Sequence, residues 1–308
     1  MSQLVSVVIP THGRPAYLAR ALQSVFDQTL SEVEIIVVDD NAGDEHTRSR
    51  TVETVEGMRV ACPAGSVLSL ETPDGRLGGG AARNYGASRA NGTYLAFLDD
   101  DDWWSPEKLE KQLGAFEGRP DYEPGIAYTS RRIVDGNGVT KRLREATHEG
   151  WIRDVLLREN VIGTTSCVMI PKAVFEAVGG FDPSLSARQD VDLFVRIAES
   201  HRVVAVTEAL TVQQEHNEGR ISRNFEAKAD GLRKFLAKHR ASIARRPAVL
   251  AAHYRRIGRH YLKYGRLVRG RYYLLRAAVV EPSVSDVLRV VVGVPRRDRG
   301  NAESEKSD

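Results

Sequence analysis

Phe97-Leu98-Asp99-Asp100-Asp101-Asp102-Trp103-Trp104 sets four consecutive carboxylates directly behind the apolar run Tyr94-Leu95-Ala96-Phe97-Leu98. Carboxylates so packed repel one another, and burial beside a strand raises the cost of ionising them further unless a cation joins the group. Hard divalent ions take oxygen ligands, commonly one or two carboxylates together with substrate phosphates, so the run predicts a Mg²⁺ or Mn²⁺ site at a strand end. Two plainer readings compete. Ser105-Pro106-Glu107 reads as a helix start, with a cap, a proline at the first helical position and an acid in the first turn, which would make the four acids a solvated turn before it. A calcium loop would use Asp99, Asp101 and Glu110, but Trp104 stands at its glycine position and Pro106 begins a helix inside it. On the run alone, the metal site and the solvated turn both stay open.

Working toward the N-terminus, Leu4-Val5-Ser6-Val7-Val8-Ile9 is a continuous, β-branched apolar run, as expected of a strand buried on both faces of a parallel sheet. It ends at Pro10-Thr11-His12-Gly13-Arg14, and Pro15 opens a helical pattern through Leu18, Leu22, Val25 and Phe26. A second strand over 34–38 ends at Asp39-Asp40, which completes a strand–helix–strand unit of parallel, right-handed crossover length. Val67–Leu70 predicts a third strand, and Gly78-Gly79-Gly80-Ala81-Ala82-Arg83-Asn84 leads into a helix reaching Ala90. In an open α/β sheet, ligands bind beyond the carboxyl ends of the strands. Thr11, His12 and Arg14, then Asp39 and Asp40, then Asp99 to Asp102 all gather there.

Toward the C-terminus, Gly125–Tyr128 and Ser166–Ile170 read as strands and Lys172–Val178 as a short helix stopped by Gly179-Gly180. Gln189–Ile197 reads as a helix with Asp190 and Asp192 in or near its first turn. From 224 to 292 the pattern is helical, broken at Arg246-Pro247, Gly265 and Glu281-Pro282, with a last apolar helix from Val284 to Val292. The expected division is an α/β domain over 1–223, a basic helical region over 224–294 and a disordered tail over 295–308.

At 308 residues and 42% hydrophobic composition, the chain can hold one large α/β domain and an appendage. Its two cysteines, Cys62 and Cys167, have no metal-ligand spacing, which argues against a zinc cluster and for a reducing compartment. The start lacks a signal-peptide pattern and no apolar run nears the ~18 residues of a membrane span, so a cytoplasmic protein is expected. The net charge of +3 conceals an asymmetry: residues 1–224 carry 24 basic and 33 acidic side chains, and 225–308 carry 20 and 8. Between Lys228 and Arg276, 15 Lys or Arg face one acid, Asp230, a bias that suits an anionic surface or a solvated helical face.

Several chemistries lack their parts. The loop after the first strand has no dinucleotide glycine fingerprint, and neither a Walker loop nor a Gly-x-Ser-x-Gly elbow occurs. The ordered blocks Val5–Thr11 with Arg14, Ile36–Asp40, Gly79–Asn84, Phe97–Asp102 and Gly179-Gly180-Phe181-Asp182 followed by Gln189–Leu193 resemble those of the family 2 (GT2) glycosyltransferases with the GT-A fold. The likeness covers roughly residues 1–223. It implies an α/β, Rossmann-like, mostly parallel sheet flanked by helices, with a C-terminal helical appendage. It also implies an inverting transfer of sugar from a nucleotide-diphosphate sugar to an acceptor hydroxyl in cell-surface glycan or glycoconjugate synthesis.

By the resemblance, Pro10, Thr11 and Arg14 lie along the nucleotide, Asp40 and Asp39 meet its base or ribose, and Arg83 approaches the diphosphate or sugar. Without it, Asp39 and Asp40 read as a turn or cap and Arg83 as a solvated helix residue. Asp101 is the main ligand expected for Mn²⁺ or Mg²⁺ and Asp99 the second. Asp100 is placed with the donor-binding residues, and Asp100 and Asp102 shape the turn. Asp190 is the expected general base, with Asp192 as its alternative, and Gln189 stands where the family usually has Glu. His216 matches a region that can return to the metal, though a lone histidine is commonly a surface residue. Trp103 and Trp104 either floor the acceptor site or belong to the core.

A metal-dependent nucleotidyltransferase and a non-catalytic sugar- or nucleic-acid-binding module are the alternatives. The first should carry a basic glycine-rich loop after the first strand; the second would not need Asp190. Tyr261–Arg266 with Arg271–Ala278 resembles a tetratricopeptide-like helix pair. A glycan or lipid-linked acceptor is expected, and the basic 225–292 stretch is a candidate for holding the protein peripherally at the inner face of the cell membrane. A nucleic-acid partner is not expected, and an oligomer stays open.

Overall fold

The computed structural model describes residues 4–117, 123–215 and 225–283. Two compact units divide the chain, Met1–Arg220 and Ile221–Asp308.

In the first unit, β1 (Val5–Thr11), α1 (Pro15–Phe26), β2 (Glu34–Asp39), α2 (Glu45–Arg59), β3 (Val67–Glu71), α3 (Gly79–Arg89) and β4 (Tyr94–Phe97) alternate along the chain. The strands pair in parallel in the order β3-β2-β1-β4. The two faces of β1 bury different partners, as its period of two requires. Val5, Val7 and Ile9 join the core cluster that contains Leu18, Leu22 and Val25 of α1. Val8 turns instead toward α3, where a Cβ on Gly86 would run into Val8 and Val38. That glycine lets the helix lie close to the sheet, which brings its N-terminal end to the strand ends.

Beyond β4 come β5 (Trp103–Trp104), α4 (Lys108–Glu117), β6 (Pro124–Val134), β7 (Thr140–Arg144), α5 (Arg153–Arg158), a 3₁₀ turn over Thr165–Cys167, β8 (Val168–Pro171), α6 (Lys172–Ala177), α7 (Gln189–Ile197) and β9 (Arg202–Gln214). The sheet runs β3-β2-β1-β4-β8-β6-β9-β5, with β7 paired to β6. β8 opposes β4, β6 opposes β8 and β9 follows β6, so among the described residues six of the nine strands share one direction.

The helices α2 and α5 and the strand β7 were not expected from the sequence, and three further differences lie nearer the acidic turn. β9 was not anticipated. Its pairing with β6 shifts register near Thr129 to Arg131, and Thr207 and Glu208 are exposed in mid-strand, so bulges erase the alternation that marks a strand. α4 begins at Lys108 rather than Pro106, because Ser105 donates to the Leu210 carbonyl (2.9 Å) and the Pro106 carbonyl accepts from Thr29 (2.9 Å), holding these residues in a turn. Finally, Trp103 and Trp104 form a short strand against Val212 and Thr211. Trp104 is buried in the core with its indole N–H on the Ser166 carbonyl (2.8 Å), whereas Trp103 stacks under Arg20, 3.9 Å away.

The second unit holds α8 (Phe225–Lys238), α9 (Arg240–Ala244), α10 (Pro247–Lys263) and α11 (Leu267–Val280) around Ala229, Leu232, Ile257 and Tyr261. The breaks fall at Arg246-Pro247 and at Gly265, whose φ of 72° permits the sharp turn between α10 and α11. These two helices pack tightly: a Cβ on Gly258 would meet the Gly270 carbonyl oxygen at 3.0 Å. The expected helix over 284–292, the tail over 295–308 and the expected boundary at 223/224 lie outside the described residues. Among the described residues, no helix is long and apolar enough to cross a membrane.

Candidate active site

The four aspartates after β4 form a turn, closed by the Asp102 N–H on the Asp99 carbonyl (3.0 Å). Asp99 pairs with Arg83 and accepts from Thr165 Oγ1 (3.1 Å) and Thr164 Oγ1 (3.4 Å). Burial pushes its carboxyl up, but Arg83, the Thr165 hydroxyl and Arg14 outweigh that and hold it below the ordinary carboxylate value. Asp100 is buried against Thr11 Oγ1 (2.8 Å) and the Arg14 guanidinium (2.8 Å). Its pKa is pushed up to about 7, chiefly by burial, against the pull of Arg14 and with a further push from Asp101. Asp101 meets Arg14 at 2.5 Å, and its carbonyl accepts from Arg20 (3.0 Å). Asp102 is buried, accepting from Ser166 Oγ (2.7 Å) and the Gln214 N–H (3.2 Å).

Carboxylate oxygens of Asp99, Asp101 and Asp102 lie within 4.8 Å of one another. Three hard oxygen donors so close suit Mg²⁺ or Mn²⁺, so the donor set fits such an ion. Asp102 belongs to this group although the sequence assigned it to the turn, because a closed turn brings its first and fourth residues back together. Asp100 is not part of this group and is held by Thr11 of β1 and by Arg14.

The ends of β1 and β2 are cross-linked. The Asp40 N–H donates to the Thr11 carbonyl (2.9 Å), and the Asp40 carboxylate accepts from the Leu77 (2.5 Å) and Gly78 (2.9 Å) N–H groups. It therefore hangs the glycine-rich loop, with Gly78 at φ 80°, on the sheet's edge. Asp39 is fully buried. One oxygen takes the Asn41 side-chain and backbone N–H groups (2.5 and 2.9 Å); the other has no hydrogen-bond partner among the described residues and lies 3.7 Å from Arg48 Nε. Pro10 is half-buried within β1, opposite Val38.

α3 carries Arg83 into the acidic turn and clasps the Gly179-Gly180-Phe181 segment. The Asn84 amide accepts from the Phe181 N–H (2.8 Å) and donates to its carbonyl (2.7 Å). Gly80 leaves room for Gln189, whose amide would lie about 3 Å from a Cβ there. These contacts fix the start of α7 beside α3. Asp190, in the first turn of α7, accepts from Asn160 Nδ2 (3.1 Å). Burial raises its pKa, and Asp99 adds to this, against the Val191 N–H, Arg188 and Arg83, which pull it down. Asp192 is sealed in the core and paired with Arg196 at 2.8 Å, while Arg196 also holds the Val178 and Gly180 carbonyls. It serves helix packing, which removes it as an alternative base. His216 lies outside the described residues.

Asn160 also bridges both backbone groups of Gly163 (2.6 and 2.8 Å) and lines a cavity of about 650 Å³ with Arg131, Arg144, Thr147, His148 and Glu159. The sequence reading missed Asn160, Arg20 and Ser166. The polar run Gly163-Thr164-Thr165-Ser166 ahead of an apolar strand was the available signal for Ser166; Arg20 and Asn160 had none.

A family model described as Glycosyl transferase family 2 matches residues 6–179. The chain belongs to glycosyltransferase family 2. The chain is 31% identical over 191 residues to the putative teichuronic acid biosynthesis glycosyltransferase TuaG of Bacillus subtilis, covering 61% of this chain and 69% of that protein. The chain spans between 31% and 65% of the length of the first five curated relatives it matches. Among solved structures it resembles S. aureus TarS 1–349 in complex with UDP-GlcNAc, with a TM-score of 0.62 at 16% identity, covering 96% of this chain and 93% of that one. It also resembles the mannosyltransferase PcManGT from Pyrobaculum calidifontis in complex with GDP-Man and Mn²⁺, with a TM-score of 0.58 at 18% identity, covering 95% and 80%. The fold is thus GT-A, a curled, mostly parallel sheet with flanking helices and a helical appendage.

Proposed function

We propose that residues 1–223 form an inverting, metal-dependent glycosyltransferase domain that moves a sugar from a nucleotide-diphosphate sugar to an acceptor hydroxyl. The observation that carries this reading is the grouping of Asp99, Asp101 and Asp102 at the end of β4, with Arg83 and Arg14 beside them and Asp190 on the adjoining helix. Those three acids would hold Mn²⁺ or Mg²⁺, which when bound supplies positive charge at the leaving diphosphate. The nucleotide-sugar complexes of TarS and PcManGT support a nucleotide-sugar donor, and the Mn²⁺ of PcManGT supports the ion.

The chain's own residues do the rest. Thr11, Arg14, Asp39 and Asp40 line the strand ends where the nucleotide lies, and Arg83 offers a permanent planar cation to the diphosphate. Asp190 takes the proton of the acceptor hydroxyl as that oxygen attacks the anomeric carbon. The bond from that carbon to the diphosphate oxygen breaks with its electron pair, and one displacement inverts the centre. Burial favours a base that is neither as weak nor as solvated as a surface carboxylate. The cavity walled by Asn160 is the acceptor's approach, because Asn160 touches both it and Asp190.

The relationship to TuaG supports cell-surface glycan synthesis. With its basic helical region, the enzyme would work in the cytoplasm on glycan or lipid-linked acceptors, held peripherally at an anionic membrane. A screen of sugar nucleotides by thermal shift, with and without Mn²⁺, should find a donor whose stabilisation needs the ion. Turnover should be lost in Asp101→Ala and Asp190→Ala, and unchanged turnover in both with a demonstrated acceptor would overturn the assignments.

A further inference from the structure

α11 has two faces that follow from its sequence. Gly270, Leu274 and Ala277 are buried, and Gly270 lies against Leu262 of α10. Rotated from them by about a third to a half turn at 100° per residue, Val268, Tyr272, Leu275 and Val279 recur at intervals of four, three and four and form a stripe along the helix. They are 84%, 53%, 51% and 85% exposed, and Leu267 and Tyr264 extend the stripe at its N-terminal end. One such side chain would be unremarkable; a row of them along one helix is a patch.

The charges around the stripe are of one sign. Arg271 falls on one edge, and Arg276 and Arg269 on the other, while Lys263 and Arg266 precede the helix. α11 carries no acid. The acid just past its end, Glu281, is bound by Arg255 through its carboxylate (2.6 Å) and its carbonyl (2.8 Å). Arginines at the margins of an apolar stripe can lay their stems along it while their heads reach outward to anionic groups.

We propose that this face of α11 is a membrane-contact surface, with Val268, Tyr272, Leu275 and Val279 entering the acyl boundary of an anionic bilayer and Arg269, Arg271 and Arg276 meeting lipid phosphates. Charge decides among occupants. A second copy placed face to face would bring uncompensated arginines against arginines, whereas an anionic headgroup layer answers both edges at once. This deepens the membrane part of the proposed function, and it is read without turnover, so it can fail or stand separately from the donor chemistry.

The test is co-sedimentation of the full chain with vesicles of phosphatidylcholine alone or with added phosphatidylglycerol, at low and high salt. Binding should require the anionic lipid and weaken with salt. It should fall on the order of 10-fold or more in Val268→Ser/Leu275→Ser/Val279→Ser, and separately in Arg269→Ala/Arg271→Ala. Circular dichroism should show unchanged helix content, since all five side chains are exposed. Absence of binding to anionic vesicles, or binding as strong as wild type in both variants, would overturn the proposal. So would a solution dimer that dissociates in the apolar variant, or vesicle-free hydrogen-exchange protection of 267–280 that disappears when 284–308 are removed. Those results would give the face to a second copy or to the chain's own C-terminal segment.

Discussion

At the carboxyl edge of the sheet, charged groups are drawn inward and answered: Asp100, Asp101 and Asp102 are buried, and Arg14, Arg83, Thr11 and Ser166 meet the carboxylates of the turn. On α11 charge is left outward with no acid on the helix to answer it, and arginines flank an exposed apolar stripe. Buried, countered charge fixes geometry, because each side chain has few arrangements that satisfy it. Exposed charge of one sign fixes little geometry and instead creates a field that screens with salt. The comparison can be broken from either side.

The largest effect expected is on Asp190. Replacing it with Asn should lower kcat by roughly 10²–10⁴ without loss of folded protein, since it removes a proton acceptor but keeps the shape. Because burial raises this carboxyl's pKa, its base form is lost as pH falls at a higher pH than for a solvated aspartate. The wild-type pH–rate profile should therefore show an acid limb at higher pH than a solvated aspartate would give, and Asp190→Asn should lack it. The stability sign runs the other way: a raised native pKa means the native state binds more protons, so this group's contribution declines as pH rises through that limb. Urea titrations at several pH values, comparing wild type with Asp190→Asn, would check it.

Two residues along the same helix the expectation reverses. Asp192 is buried against Arg196, so Asp192→Ala should cost about 3 kcal/mol of stability by leaving that guanidinium partly unanswered. At a temperature where both proteins remain folded, turnover should be little changed. A loss of turnover with intact stability would return Asp192 to the list of candidate bases. Next in size is Gly86→Ala, expected to cost roughly 1–3 kcal/mol because the added methyl meets Val8 and Val38 of the packed sheet.

Asp190 and Asp192 also mark how far the sequence could be read. Both stood in the first turn of an expected helix, and composition could not say which would meet Asn160 and which an arginine. The parallel half of the sheet was legible because β1 and β2 are unbroken apolar runs and each strand ends on polar residues. β9 was not, because bulges and the exposed Thr207-Glu208 pair interrupt its period. Within the acidic run, the strand end was visible but the direction of each carboxylate was not. That depends on a turn that sends Asp100 to Thr11 and returns Asp102 toward Asp99, using partners more than sixty residues away in sequence, such as Ser166. The breaks of the second unit were legible from Pro247 and Gly265, because proline and glycine act locally.

The smallest effect expected lies on α11 and tests the other side of the comparison. Arg269 and Arg271 are exposed and the helix holds no acid to pair with them, so Arg269→Ala/Arg271→Ala should change stability by no more than about 0.5 kcal/mol. Removing like charges can even stabilise slightly, and that gain should vanish at high salt, where the repulsion is already screened. Urea unfolding of this variant and of Asp192→Ala at low and high salt separates the two regimes. The buried pair's loss should persist at high salt because solvent ions do not reach it, whereas the surface difference should collapse toward zero. A salt-independent loss of stability in the arginine variant would mean that these side chains are held in specific contacts, and α11 would then have to be regarded as built like the sheet's edge rather than as its opposite.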